Sequence, residues 1–237
     1  MTYPLYLDTS TIAYGHHCDQ AFIFRSSIES IEIRHFTEKH PHLYFPLPNP
    51  ELVPIDKKSE DIKPDAKAKP AISMADYKDM LQADNKTRGL MAKRAWSKEY
   101  PREVRIFKNE EFTIKAAPDG VGIDLIYEFA STKHPLSTWE RHSDSVKTCE
   151  TARANLEAYL FGKNRVRVDV YRMCPDYVRP IKYEGVADYE KAKILLTCAF
   201  SLLKNEREPE PPTDADWKCR CCDFYKQCKL TPLKHNV

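Results

Sequence analysis

An α/β fold with a mixed central sheet flanked by helices is what the sequence predicts, on three observations. Short stretches of alternating apolar and polar residues cluster between 104 and 129. Two longer stretches, 145–161 and 189–204, carry apolar residues at helical spacing. A further alternating stretch, Arg165-Val-Arg-Val-Asp-Val170, lies between those two. Period two marks a strand and period 3.6 a helix, so the order is a β-meander, a helix, a strand and a helix, the sign of an α/β chain.

Taken in order, Thr9 or Ser10 can cap a short helix running through Tyr14 to Cys18. Residues 20–36 alternate through Phe22, Phe24, Ile28, Ile31 and Ile33, which predicts a strand. Residues 41–75 form a Pro/Lys-rich loop with Pro46, Pro48, Pro50, Pro54, Pro64 and Pro70. A helix is expected over 76–99, with Met80, Leu81, Leu90, Met91 and Trp96 as core contacts. Three strands come next at Val104–Phe107, Phe112–Ala116 and Ile123–Phe129, and Gly120 and Gly122 place a hairpin turn between the last two. In the helix Ser145–Phe161, Cys149, Ala152, Leu156, Tyr159 and Leu160 share a face. The helix Tyr189–Lys204 is strongly apolar, through Leu195, Leu196, Ala199, Phe200 and Leu203, and Pro209 to Pro212 lead out of it. There is no internal repeat.

At 237 residues the chain can form one sizeable domain, burying about 70–75% of its unfolded surface. Lys and Arg number 37 against 35 for Asp and Glu. A polyanion would therefore be attracted only by local clusters of basic residues. The start lacks a basic leader followed by an apolar run, and no apolar run approaches the roughly 18–20 residues of a membrane span. The expected location is cytoplasmic, in a prokaryotic or virus-infected cell, with no membrane partner.

In such a reducing compartment clustered cysteines point to metal rather than to disulfides. Of the eight, four lie within Cys219-Arg-Cys-Cys-Asp-Phe-Tyr-Lys-Gln-Cys228, where Cys219, Cys222 and Cys228 read C-x2-C-x5-C. Three thiolates on a tight loop call for a fourth ligand, from Cys221 or from the distant Cys18. A zinc knuckle completed by His16 or His17 is the competing arrangement. Cys149, Cys174 and Cys198 fall on predicted elements and read as core thiols.

The stretch Thr9–Arg25, with Ser10, Ile12 and Tyr14 ahead of Cys18 and Phe22 and Phe24 behind it, resembles the opening of RecB-type nucleases of the PD-(D/E)XK superfamily that carry an iron–sulfur cluster. CRISPR-associated exonucleases, the AddB subunit, exonuclease V and viral relatives share this opening and a terminal C-x2-C-x5-C. The resemblance implies a single nuclease domain over 1–237 with a restriction-endonuclease-like core over 76–204. It also implies that 1–25 and 205–237 are clasped by a 4Fe–4S cluster on Cys18, Cys219, Cys222 and Cys228. Such a clasp would restrict the unfolded chain as a long cross-link does. Residues 26–75 have no counterpart in the resemblance.

The same resemblance assigns an active site. Asp119, after a literal Pro118, and Glu128 correspond to the motif carboxylates, and the carbonyl of Phe129 to a further ligand of Mg²⁺ or Mn²⁺. Asp124 is an alternative ligand. The motif lysine two residues after the glutamate is replaced by Ala130, and Lys133, about 10 Å further along a strand and on its other face, is a poor substitute. Ala130 reads either as a natural loss or as an introduced Lys→Ala substitution; the intact surroundings favour the second. A metal-binding His expected after a glycine falls on Lys93 of Gly89-Leu-Met-Ala-Lys93, and Glu103 is a weak replacement. Asn155 and Tyr159 stand where the resemblance places a supporting Gln-x-x-x-Tyr.

The function to expect is that of a metal-dependent DNA nuclease, an exonuclease on single-stranded DNA or DNA ends, with activity impaired or lost in this form because Ala130 replaces the motif lysine. Its groove would draw on Lys93, Arg94, Trp96, Lys98, Arg102, Arg105, Lys133, Trp139, Arg141 and His142. The alternative is a non-catalytic DNA-binding or adaptor protein on the same fold. Homo-oligomers and recombination or CRISPR-type protein partners are compatible with both.

Overall fold

The computed structural model describes residues 5–15, 18–48, 87, 90–91, 93–94, 100–132, 136–172, 181–210, 212, 219, 224, 226 and 228, without the side chains of 132, 136–148, 172 and 181. The expectations for Met80, Leu81, Trp96, Lys98, Lys133, Cys174, Cys221, Cys222, His16 and His17 lie outside the described residues. The chain falls into two compact units, the first of 1–54, 104–116 and 190–237, the second of 55–103 and 117–189.

The first unit holds a four-stranded sheet in the order β1-β4-β3-β2, formed by β1 (Leu5–Asp8), β2 (Tyr44–Pro46), β3 (Arg105–Lys108) and β4 (Phe112–Ala116). β1 runs parallel to β4, β3 antiparallel to β4, and β2 parallel to β3. The alternation that predicted β4 is explained by its burial, with Phe112 and Ile114 fully covered. Phe112 stacks on Phe200 of α4 (Tyr189–Leu203), with ring centroids 3.7 Å apart.

Residues 20–36, expected as a strand, are helical instead. After α1 (Thr9–Gly15), the helix α2 runs from Asp19 to Lys39. Its buried residues, Ala21, Phe22, Ser26, Ile33 and Thr37, recur at helical intervals, while Ile28 and Ile31 face solvent. Arg25 reaches Glu29 at 2.8 Å and Arg34 reaches Glu38 at 2.9 Å, pairs that only a helix brings together. The alternation around Phe22–Phe24 and Ile31–Ile33 consists of two local coincidences separated by polar residues.

The second unit carries a separate four-stranded sheet in the order β5-β6-β7-β8, from β5 (Gly120–Val121), β6 (Leu125–Thr132), β7 (Arg165–Arg172) and β8 (Ile181–Val186). The single central sheet expected from the sequence is thus two mixed sheets. The meander is also broken, since β4 and β6 belong to different sheets and the glycine-rich turn joins β5 to β6. Ile123, expected in a strand, is fully exposed at that turn. β6 pairs in parallel with β7 over eight residues, and α3 (Leu136–Phe161) connects them and packs on both. Ala152, Leu156, Tyr159 and Leu160 are buried as expected. Gly162, at φ 64°, ends α3 in a left-handed conformation, and the Lys163 N–H returns to the Ala158 carbonyl at 2.8 Å.

Thr87, Leu90, Met91, Lys93 and Arg94 are helical, in agreement with the helix expected over 76–99, although Leu90 is exposed and does not serve the core. Gly120 has a packing reason. A Cβ there would overlap the Cβ of Tyr100, whose ring stacks on Tyr127 at 5.1 Å. Gly120→Ala is therefore expected to lower the melting temperature by several degrees. An unchanged melting curve would show that Tyr100 moves aside freely.

Candidate catalytic site

The register of β5 and β6 sets the two motif carboxylates together. Gly120 pairs with Tyr127 across this antiparallel ladder, so one further step puts Asp119 opposite Glu128. Asp119 is 4% exposed, and its Oδ2 accepts the backbone N–H of Phe129 at 3.1 Å. Its Oδ1 forms an ion pair with the Nζ of Lys93.

Alternation along β6 sends Glu128 and Ala130 to one face, in register with Val168 and Val170 of β7. Helix α3 covers that face, for Arg153 stands with Nη1 3.2 Å from Oε2 of Glu128. Arg153 also donates from Nη2 to the Ala117 carbonyl at 2.9 Å and from Nε to Glu157 at 3.3 Å, and lies 4.0 Å from Glu150. One guanidinium therefore ties α3 to β6 and to the loop that carries Asp119. Burial opposes the Arg153 charge, but Glu128, Glu157, Glu150 and Asp119 outweigh it and hold the cation on.

Glu128 itself is fully buried, and neither of its oxygens has a hydrogen-bond donor among the described residues despite the nearby guanidinium. Burial pushes its carboxyl well above the usual carboxylate range; Arg153 opposes this and Glu157 adds to it. Glu150 is raised too, first by burial. Ala130 is 7% exposed and offers only a methyl group.

The opposite face of β6 carries a second polar network. The Tyr127 hydroxyl donates to Asp169 Oδ2 at 3.3 Å, and Arg167 holds both Asp169 oxygens at 3.1 and 3.0 Å. Burial and then the Asp169 charge raise the Tyr127 phenol, so this hydroxyl stays a donor. The network fixes β6 against β7 from behind the carboxylates.

Asn155 and Tyr159 are both buried, on a different face of α3. Asn155 Oδ1 accepts the N–H of Asp188 at 2.8 Å, and the Tyr159 ring meets Tyr189 edge-on at 5.6 Å. They anchor the segment leading into α4. The residues that reach the carboxylates are Glu150, Arg153 and Glu157, at i, i+3 and i+7. Charged residues recurring at that helical spacing were the available signal in the sequence. Asp124 is occupied elsewhere, accepting from the backbone and side chain of Asn164 at 3.1 and 2.8 Å.

Cys18, Cys198, Cys219 and Cys228 lie in the first unit, and Cys149, expected as a core thiol, is half-exposed on α3 of the second. Cys18 is half-exposed at the start of α2, and Cys219 and Cys228 are buried. The segment after α4 reaches α2: Arg207 pairs with Asp19 at 2.7 Å, the Glu210 N–H reaches Asp19 at 3.0 Å, and Phe224 meets Phe24 at 5.5 Å. Cys198, expected as a core thiol, is half-exposed and lines a cavity of about 260 Å³ together with Cys18. Among the described residues no three His, Cys, Asp or Glu side chains are grouped as metal ligands would be.

Among the expected DNA-binding residues, Arg94 and Arg102 are exposed, and Arg105 lies over the Phe45 ring at 4.8 Å. The side chains of Trp139, Arg141 and His142 lie outside the described residues. No helix among the described residues is long and apolar enough to cross a membrane.

No family model and no curated protein matches the chain. Solved structures similar to it include SSO0001, at 10% identity over 98% of this chain and 89% of that one, with a TM-score of 0.49. An alkaline exonuclease (LHK-Exo) from Laribacter hongkongensis matches at 17% identity over 52% of this chain and 69% of that one, TM-score 0.35. The same exonuclease in complex with dAMP matches at 18% identity over 52% and 70%, also with a TM-score of 0.35.

The raised Glu128 carboxyl has a definite effect on stability. A carboxyl whose folded pKa lies above its unfolded value stabilises the fold fully below about pH 4, and that contribution is lost as pH rises through the folded value. Glu128→Gln, which cannot ionise, is therefore expected to melt higher than the parent chain at neutral pH without divalent metal, with the gap closing in acid. A lower melting temperature at neutral pH would mean that the pair with Arg153 outweighs the cost of burying the charge.

Proposed function

We propose that the chain is a metal-dependent DNA nuclease, and that Asp119 and Glu128 form its cation-binding centre. The observation that carries this reading is the buried, donor-poor carboxylate of Glu128 set opposite Asp119. Natural proteins rarely bury a carboxylate in this state without a cation to compensate it. With all four acids ionised, Asp119, Glu128, Glu150 and Glu157 face two cations among the described residues, Lys93 and Arg153, leaving two formal negative charges among them. One Mg²⁺ or Mn²⁺ balances that excess. Two carboxylates and the Phe129 carbonyl are hard oxygen donors of the kind such ions take.

A divalent cation at this centre supplies charge to polarise a phosphate and lower the pKa of water. The residues of the chain do the rest. Arg153 holds Glu128 and the loop before β5 in place, and the Phe129 N–H orients Asp119. The reaction is phosphodiester hydrolysis. Water adds to phosphorus and gives a proton to solvent, the ester P–O bond breaks, and the departing alkoxide takes up a proton. The products are a phosphate monoester and a free hydroxyl. Single-stranded DNA or DNA ends are the substrates that the resemblance implies.

The reading brings with it a 4Fe–4S cluster on Cys18, Cys219, Cys222 and Cys228. Supporting it are the spacing of the last three cysteines and the contacts of Phe224, Arg207 and Glu210 with the start of α2. The cluster would be a clasp between the two ends of the chain, both within the first unit. Anaerobic purification is expected to give a brown protein with about four irons per chain. A colourless protein with one zinc would replace the cluster by a zinc knuckle.

One observation favours a second reading. Ala130 removes the lysine from the face of β6 that carries Glu128, as a DNA-binding or adaptor module that had lost its chemistry would show. The deciding experiment introduces Ala130→Lys and offers an end-labelled oligodeoxynucleotide with Mn²⁺. Cleavage that Asp119→Ala abolishes is the expected result. Binding without cleavage would move the assignment to the adaptor.

A further inference from the structure

We infer that Lys93 is a catalytic residue of this site, supplying from a neighbouring helical segment the ammonium group that position 130 lacks. The inference rests on the nuclease reading and adds a residue to it.

Hydrolysis of a phosphodiester builds negative charge on the phosphoryl oxygens, and a fixed cation beside them lowers the barrier. The cation has to meet two conditions: it must stand at the carboxylate centre, and the substrate must be able to reach it. Among the described residues two cations stand at the centre. Arg153 meets the first condition only, since its side chain is 18% exposed and its guanidinium is taken up by the ion pair with Glu128 and by hydrogen bonds to Glu157 and the Ala117 carbonyl. It is a positioning residue.

Lys93 meets both conditions. Its Nζ pairs with Oδ1 of Asp119, the oxygen not engaged by the Phe129 N–H. Its charge also acts on Glu150, so it stands within the same group of acids. Its side chain is 30% exposed, against 5% for that of Asp119, so the lysine is the part of this pair that solvent reaches. A lysine carries its charge on a long flexible stem, so the amine can stay near Asp119 while turning toward a phosphate.

The test compares the parent chain, Lys93→Met, Ala130→Lys and the double variant on an end-labelled single-stranded oligodeoxynucleotide with Mn²⁺. Methionine keeps the stem and the helix propensity, and melting curves verify the fold. Calorimetric Mn²⁺ titrations on the same proteins give a readout independent of turnover.

The parent chain is expected to cleave, and Lys93→Met to be slower by about 100-fold or more, the scale of losing one transition-state contact. Mn²⁺ affinity is expected to stay equal or tighten, since a cation competing for Asp119 has gone. Adding Ala130→Lys to Lys93→Met is expected to restore most of the rate. Equal rates for the parent chain and Lys93→Met would overturn the inference and leave the nuclease reading standing. So would a silent parent chain beside an active Ala130→Lys. A fall in Mn²⁺ affinity that parallels the loss of rate would show that Lys93 only supports the ion centre, which also overturns it. If the parent chain and Ala130→Lys are both silent, the nuclease reading falls, and the inference with it.

Discussion

The candidate site depends on one buried cation. Arg153 reaches from α3 to Glu128 on β6, to the Ala117 carbonyl ahead of Asp119 and to Glu157 one turn along its own helix. A charge in this setting loses its hydration, and only several well-placed acceptors make that tolerable. Four carboxylates around it provide them, and the pKa of Arg153 rises in spite of burial. The same arrangement explains the state of Glu128. Its only nearby cation among the described residues is shared with other acids, so burial dominates and the carboxyl is held above its usual range.

β6 makes the arrangement possible because both of its faces are buried for different reasons. One face turns Glu128 and Ala130 toward α3, while the other turns Tyr127 and Phe129 into the network of Asp169, Arg167 and Tyr100. The eight-residue parallel ladder with β7 fixes the register, and a slip of one residue would exchange the faces. The carboxylate that the proposed centre would place on a cation is the one most costly to bury without it.

Much of this was legible in the sequence. The alternation in Phe112–Ala116 and Arg165–Val170 and the apolar faces of 145–161 and 189–204 led to real elements, because each is a regular element with a clear buried side. Asp119 and Glu128 were named through the resemblance alone, and the glycine turn between them agrees with their opposition across the β5–β6 hairpin. The failures also have physical causes. α2 carries a nearly even scatter of apolar residues, and two chance alternations outweighed its helical ion pairs. β1 is a strand whose partner lies far away in sequence, so local pattern gave no hint of it. On α3 the resemblance drew attention to Asn155 and Tyr159, whereas the side chains on the carboxylates are Arg153, Glu150 and Glu157. A spacing of three and four residues serves any helix face, and only the packing of α3 on β6 says which face matters.

The most direct test of the cation centre is a crystal of the protein grown with Mn²⁺ and measured for anomalous scattering. The expected result is a single Mn²⁺ peak bounded by Asp119, Glu128 and the Phe129 carbonyl, with Arg153 still holding Glu157. No peak at that position with saturating Mn²⁺, and Arg153 still lying against Glu128, would contradict it.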